Sequence, residues 1–592
     1  MSNQYQWSLN QLYLSFDDPK LEIDFQTYLQ LICDFSKFAN KEFYDTASPQ
    51  VIIERYIDIE NQLGALISKL SAFANLSQAT DAKNNNAQQW IDKIRKNGTK
   101  LTAPRVAFIY WLKEHASQLE ALCVASETIQ LHRFALKERI NDSLHLLSEK
   151  EESLISSMIQ TGSSAWEGLQ NKTTSLTMIP IELDGAIKEL PLSAIRNLAF
   201  NKDQDIRKKA FEAELGAYPK FIDISAAAIN AIKGEVVTLS DKKGYASPLQ
   251  MSLEESRMDE TILAALIGAM EEALPIFRKY LKGKAKALGH EGGLPFYDIF
   301  APMGSSDREL TIEHCKHIVE ESFSSFSSEL GDFARQAFNE SWVDFEPRPG
   351  KRGGAFCSNI NGIKESRFLC NYQGSMNNII TVAHELGHGF HGHNVFKETV
   401  LNASYPMPLA ETASTFCETI VKNRLMSQAT PSEQLLLVET SIQGYNQIIV
   451  DIYSRFLFES SVFEHRKSSS LSPEELCELM ADAQKKAYGD GLDENTLHPY
   501  MWMNKVHYYY ASRNFYNFPY AFGLLFAMGL YAKYEQEGEA FVERYNQMLR
   551  LTGKASIKEV GAFMGIDLTD IHFWKGSLGL MERDIEKFLS LI

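Results

Sequence analysis

Residues 381–393 read Thr381-Val-Ala-His384-Glu385-Leu-Gly-His388-Gly-Phe-His391-Gly-His393 and carry four of the chain's 14 histidines. Ile379, Ala383, Leu386 and Phe390 recur here at three- and four-residue spacing, so the stretch is helical with one buried face. His384 and His388 lie one turn apart on another face, where both imidazoles can reach one metal ion. Glu385 is rotated from them by about 100° and stands beside such an ion rather than on it. There it can take a proton from metal-bound water. Buried histidines and a buried glutamate need partners, because an unpaired polar group is costly to bury. The HExxH pattern therefore reads as a zinc site of the hydrolase type on a central helix.

Two imidazoles leave a third ligand to find. A three-histidine site would need HExxHxxGxxH, but His391 stands where the glycine should be and Asn394 where the histidine should be. The alternative is a carboxylate from the next helix. Residues 399–410 contain Pro406 and Pro408 and read as a loop, followed by helical Ala410-Glu411-Thr-Ala-Ser-Thr-Phe-Cys-Glu418-Thr-Ile. Glu411 and Glu418 are seven residues apart, hence on one helical face. Either can reach the metal, or one can bind it while the other orients a ligand histidine.

On the other side of the histidines, Gly353-Gly-Ala-Phe-Cys-Ser, Asn361-Gly362 and Ser366-Arg-Phe-Leu-Cys-Asn-Tyr predict a hairpin. Leu294-Pro-Phe-Tyr-Asp-Ile-Phe is a further candidate strand. An edge strand here, through Gly353–Cys357 or Leu369–Tyr372, could pair with an extended peptide by main-chain hydrogen bonds. A smaller hairpin is predicted over Leu176–Leu192, with Asp184-Gly185 supplying the positive-φ turn. The first 170 residues read as successive helices. Leu21, Phe25, Tyr28, Leu29, Ile32 and Phe35 form one stripe, and Ile52, Ile53, Tyr56, Ile57, Leu63, Leu66, Ile67 and Leu70 form another. Val106–Leu147 reads as two helices or one bent one. Beyond residue 376 the chain is helical almost to its end. A soft boundary near 190 divides an N-terminal helical domain, 1–190, from a catalytic domain, 191–592.

The whole chain has 592 residues, 44% hydrophobic and 23% charged, a globular balance. Its 76 acids against 59 bases give a net charge of −17, which argues against a nucleic-acid partner. Seven scattered cysteines without CxxC spacing point to a reducing compartment. The start, Met-Ser-Asn-Gln-Tyr-Gln-Trp, has no basic or apolar leader character. The longest apolar run, the 15 residues Phe518–Ala532, is interrupted by Pro519, Gly523 and Gly529 and is shorter than the roughly 20 residues a bilayer requires. It reads as a buried core helix. A soluble cytoplasmic protein with no membrane partner is expected.

One aromatic segment adds candidates. His507-Tyr508-Tyr509-Tyr510 precedes Phe515-Tyr516-Asn-Phe-Pro-Tyr520, with Tyr516 and Tyr520 on one helix face that Pro519 disturbs. Aromatic stripes usually build cores. Peptide hydrolysis also needs donors aimed at the oxyanion of the tetrahedral intermediate, and Tyr O–H and His N–H can supply them.

His-Glu-Leu-Gly-His-Gly-Phe-His followed by Ala-Glu-Thr-Ala-Ser-Thr-Phe resembles the oligoendopeptidase F family, relatives of thimet oligopeptidase. Trp7-Ser-Leu-Asn-Gln-Leu-Tyr, Arg207-Lys-Lys-Ala-Phe, Asn230-Ala-Ile-Lys-Gly, Tyr297-Asp-Ile-Phe-Ala-Pro and Gly350-Lys-Arg-Gly-Gly-Ala-Phe-Cys resemble it in the same order, across nearly the full chain. The resemblance implies a mainly α fold, with two helical lobes around a deep substrate channel and a small sheet beside the zinc helix. It implies one zinc ion held by His384, His388 and Glu411, which selects Glu411 over Glu418 and leaves Glu418 beside the ligands. It implies oxyanion donors from the aromatic segment, His507 and Tyr516 first, then Tyr509 and Tyr520. The expected activity is endopeptidase cleavage of short unfolded peptides by zinc-bound water, with Glu385 as base. The rival readings are a zinc exopeptidase that trims peptide ends and a peptide-binding protein without catalysis.

Overall fold

The computed structural model describes residues 5–41, 43, 48–306, 308–510 and 512–592. Met1–Gln4, the first part of the N-terminal stretch quoted above, lie outside that set. The fold is mainly helical with two small sheets. It divides into two compact units, each assembled from three stretches of chain. One comprises Met1–Leu146, Arg308–Leu425 and Lys533–Gly565; the other comprises Leu147–Asp307, Met426–Ala532 and Ile566–Ile592. This division runs differently from the soft boundary near residue 190.

In the first unit, helices Pro19–Lys41 and Pro49–Thr80 pair along the apolar stripes read from the sequence. Leu21, Phe25, Tyr28, Ile32 and Phe35 share one core with Ile52, Ile53, Tyr56, Ile57, Leu63 and Leu70. Val106–Leu147 is neither two helices nor one bent one. It breaks into Thr102–Glu114, Leu119–Ala125, Glu127–Leu131 and Arg133–Asp142. One break is chemical: Ser126 leaves the helical conformation, and its hydroxyl accepts the Ile129 N–H at 3.3 Å to start a new helix.

The unit's sheet has three strands. Phe356–Ile360 pairs antiparallel with Glu365–Leu369, and Val343–Asp344 pairs parallel on the far side. Glu365–Leu369 is therefore central and Phe356–Ile360 is the edge. The turn between them contains Asn361-Gly362 and closes at Lys364 with φ +56°. Gly362 lies where a Cβ would meet the Ala65 carbonyl oxygen at 2.4 Å, so the turn packs tightly on the helix Pro49–Thr80. The sheet packs on the helix Met376–Val395, which carries the histidines. That helix opens with a reciprocal cap: Ser375 Oγ accepts the Asn378 N–H, and the Asn378 side chain accepts the Ser375 N–H. Its buried stripe is Ile379, Ala383, Leu386 and Phe390.

The second unit contains the predicted hairpin, Met178–Leu183 against Ala186–Pro191, with positive φ at both Asp184 and Gly185. Leu294–Phe300 is not a strand. Leu294 makes one isolated bridge to Leu492 before Phe296–Asp298 turns as a 3-10 helix. Pro295 has no N–H to extend a ladder, and the Phe296 N–H donates to Thr496 Oγ1 at 3.0 Å. Phe518–Ala532 falls within the helix Phe518–Glu537 and is buried along most of its length. Among the described residues no helix is long and apolar enough to cross a membrane.

Candidate active site

Three elements of the first unit meet at His384 and His388: the histidine helix Met376–Val395, the edge strand Phe356–Ile360 and the helix Thr412–Ser427. Two glycines of the motif permit the approach. A Cβ on Gly387 would lie 2.6 Å from Ala413 O and from Ser414 Cα. A Cβ on Gly392 would lie 2.3 Å from Asn359 Oδ1. These spacings are closer than real side chains tolerate, so glycine lets the second helix and the strand come into reach of the histidines. Asn359 Nδ2 then donates to the His388 carbonyl at 3.2 Å, and Asn359 Oδ1 accepts from Ser366 Oγ at 2.7 Å, fixing strand to helix.

Glu411 is the turn between the short helix Met407–Ala410 and Thr412–Ser427, not a member of the longer helix. Its Oε2 stands 3.4 Å from His384 Nε2 and 3.6 Å from His388 Nε2. The two imidazole Nε2 atoms are 3.1 Å apart. Ser414 Oγ donates to Glu411 Oε2 at 2.8 Å and sets the carboxylate's direction. Glu418 approaches His384 from the other side: His384 Nδ1 donates to Glu418 Oε1 at 2.5 Å. The sequence left Glu411 and Glu418 open as ligands; the geometry separates them, one on each nitrogen of the same ring.

This group fits a divalent metal ion. The ligating atoms of His384, His388 and Glu411 lie within 4.8 Å of one another. The Nδ1 of His384 is tied to Glu418, and His388 is hydrogen-bonded to the Ala410 backbone. Two nitrogen lone pairs and a carboxylate thus face one point, and Glu385 and Glu418 add negative charge beside it. A donor set of two imidazoles and one carboxylate is a common arrangement for catalytic zinc.

Electrostatics follow from burial among carboxylates. Burial, offset in part by His384 and reinforced by Glu411 and Glu418, pushes the Glu385 carboxyl up to about 7. Glu385 is 6% exposed and lies against the Cys357 backbone of the edge strand. Burial opposes charge on His384, but the hydrogen bond and charge of Glu418 outweigh it, with Glu411 and Glu385, and raise that ring to about 9. Burial and the charge of His384 lower His388 to about 4.

The other two histidines of the motif have other partners. His391 Nε2 donates to Thr552 Oγ1 at 2.8 Å, and its ring stacks on Tyr405 at 4.0 Å. His393 faces Glu329 at 3.5 Å. Tyr405 was not singled out from the sequence. Its phenol bonds the Asn359 side chain and is held up by burial, Cys357 and Glu411, so it borders the same site. The only cue was its place between the two helices, in the Tyr-Pro-Met-Pro loop.

His507, Tyr509, Tyr516 and Tyr520 belong to the second unit. The His507 ring lies 5.2 Å from Tyr516, and Tyr516 lies 5.4 Å from Tyr520. Tyr516 and Tyr520 do not share a helix face: Tyr516 is irregular, and the helix starts at Phe518 with Pro519 in its first turn. Tyr509 is 1% exposed and belongs to the unit's core. Tyr510, unmarked by the sequence reading, completes the cluster at 5.5 Å from His507. Burial, then Arg455 and Lys505, lower His507 to about 4.

Comparison with known proteins agrees over most of the chain. Residues 197–580 match the model of peptidase family M3, and residues 111–177 match that of oligopeptidase F. Oligopeptidase PepF of Bacillus subtilis is 24% identical over 99% of this chain and 87% of its own length. A crystallised protein from Chlamydophila abortus superposes with a TM-score of 0.83 at 21% identity, covering 100% of this chain and 99% of that one. Oligoendopeptidase-F from Enterococcus faecium superposes with a TM-score of 0.71 at 18% identity, over 96% and 99%. These two likenesses concern the fold. The family match spans more than half of the residues, and it coincides with a His-His-Glu group suited to a metal: the chain belongs to peptidase family M3, a family of metallopeptidases.

Proposed function

We propose that the chain is a zinc-dependent endopeptidase acting on short unfolded peptides. The observation that carries this reading is the convergence of His384 Nε2, His388 Nε2 and Glu411 Oε2 beside the buried carboxyl of Glu385. The three residues would hold one zinc ion, which when bound polarises a carbonyl and acidifies water. Glu385 accepts a proton from the attacking water and returns it to the leaving amine. Burial and neighbouring acids hold this carboxyl at about 7 in the ion-free site, and a cation bound beside it would favour the ionised form that accepts the proton. Glu418 keeps the proton of His384 on Nδ1 and so leaves Nε2 free to ligate.

The substrate's direction is supported by the sheet. Phe356–Ile360 has no strand on its outer side among the described residues, so its outward N–H and C=O groups, apart from the Cys357 N–H that faces Glu385, can pair with an extended peptide. Of the two stretches considered from the sequence, Gly353–Cys357 runs into this edge strand, whereas only Leu369 of Leu369–Tyr372 is strand, at the end of the central one. Pairing through the backbone tolerates many side chains. His507 and Tyr516, then Tyr509 and Tyr520, are proposed as oxyanion donors on the family resemblance; Tyr509 is buried in the second unit's core. The preference for short peptides rests on the relatives, among them an oligopeptidase and an oligoendopeptidase. The seven cysteines are free thiols, which suits a cytoplasmic location.

Glu385→Gln tests the mechanism. The amide cannot accept a proton, so turnover should fall about 10²–10⁴-fold while metal content stays at one ion per chain. A variant that holds metal and cleaves at half the normal rate would remove Glu385 from the role.

A further inference from the structure

The second unit holds a cavity of about 310 Å³ with charged and aromatic side chains in its lining. It is lined by Arg196, Arg207, Glu214, His498, Asn504 and Lys505, and by an aromatic wall. In that wall Phe200 and Phe300 are 5.0 Å apart, and Phe211 and Phe296 are 5.7 Å apart. Most of the charges are matched. Arg207 Nε donates to Asp298 Oδ1 at 2.8 Å. Arg196 Nε stands 3.2 Å from Glu214 Oε1, which also accepts from Tyr218 at 2.6 Å. Arg455, outside the lining, is paired with Asp451.

Lys505 is left over. It is half-buried, lines the cavity and has no ion pair among the described residues. Burial, then the guanidinium of Arg455, push its ammonium down to about 7, with Asp451 pulling the other way. Two further polar atoms in the lining have no partner: His498 Nδ1, in a residue 2% exposed, and Asn504 Oδ1. A half-buried cation and a buried unpaired imidazole nitrogen are both costly without a ligand.

We propose that this cavity is a second binding site, for a small carboxylate with an apolar or aromatic body. The carboxylate pairs with the Lys505 ammonium and the exposed side of Arg196, while the body lies between Phe200, Phe211, Phe296 and Phe300. At about 310 Å³ the cavity is at the small end of the roughly 300–1,000 Å³ range of ligand pockets, which suits a body of one aromatic ring. A planar acceptor suits the arginine fork, and an apolar body suits the rings. The site lies wholly within the second unit, is built from residues other than the His-His-Glu group, and stands or falls independently of the peptidase reading.

Calorimetric titration of the full-length protein with N-acetyl-L-phenylalanine tests it, with the neutral N-acetyl-L-phenylalaninamide and inorganic phosphate as controls. One molecule of the acid should bind per chain, and the amide and phosphate should bind at least about tenfold more weakly. Lys505→Met should lose at least about tenfold in affinity for the acid without lowering the melting temperature, because it removes an unpaired cation. Ala199→Phe, which adds a ring to the cavity lining and removes no charged group, should also block binding. No heat with the acid at 10 mM (roughly the weakest useful affinity), equal binding of acid and amide, or unchanged binding in both variants would each overturn the proposal.

Discussion

His384 is held from both sides, by Glu418 on Nδ1 at 2.5 Å and by Glu411 facing Nε2 at 3.4 Å. The two glutamates should therefore fail differently. Glu411→Ala should lose the metal and the activity together, whereas Glu418→Ala should weaken either by about 10–100-fold, the usual cost of losing a group that orients a ligand. A zinc titration that ranks them the other way would exchange their roles. Protonation supplies a second test. Without an ion, the His384 ring is raised to about 9, so at pH 8 it carries a proton that must leave before Nε2 can ligate. Glu385, raised to about 7, is ionised at pH 8 but protonated below 7. His388, lowered to about 4, has nothing to release in this range. Zinc added to the metal-free protein should therefore release about one proton per ion at pH 8 and approach about two below pH 7. Release that does not change between those pH values would contradict these assignments.

Element packing explains why the motif spells His-Glu-Leu-Gly-His. Residue types and spacing disclose a helix with two imidazoles on one face, and they did so for His384, Glu385 and His388. They disclose nothing about Gly387, whose use is visible only when the backbone of Ala413 and Ser414 is seen against it. Gly387→Ala would place a methyl 2.6 Å from those backbone atoms, which cannot swing aside as a side chain can. The start of Thr412–Ser427, with Glu411, must shift. Overpacking of this kind costs about 1–3 kcal/mol. The rise in melting temperature on adding zinc should be smaller in the variant than in the native protein, with helical content unchanged. An equal rise would show that the close approach does not govern the site. The same scale shows where the sequence was silent. Both hairpins were readable because Asp-Gly and Asn-Gly mark turns, but Leu294–Phe300 resembled a strand by composition alone, and Pro295 with Thr496 decided otherwise. Tyr516 and Tyr520 were placed on one face by spacing, yet the helix starts only at Phe518.

At the scale of the whole molecule, the chain crosses between its two units repeatedly; two of the crossings fall beside short polar runs, Glu149–Glu152 and Gly304–Glu309, too brief to stand out as linkers in a linear reading. A boundary near 190 followed from a local change of pattern, the hairpin; the units follow from which distant helices bury one another, and a linear reading cannot see that. The family, by contrast, was legible from short motifs in a fixed order, because catalytic and close-approach positions tolerate few residue types. The central claim, a metal-dependent endopeptidase for unfolded chains, belongs to this scale. A folded domain must unfold before a strand of it can lie extended along Phe356–Ile360, at a cost of about 5–15 kcal/mol. The most direct measurement is mass spectrometry of the products from one cleavable ten-residue sequence, offered free and as a loop of a stable folded protein, with and without a chelator. The account predicts complementary internal fragments from the free peptide, their disappearance with chelator and recovery with zinc, and an intact folded protein. Loss of only one or two terminal residues, products unchanged by chelator, or equal cleavage of the folded loop would contradict it.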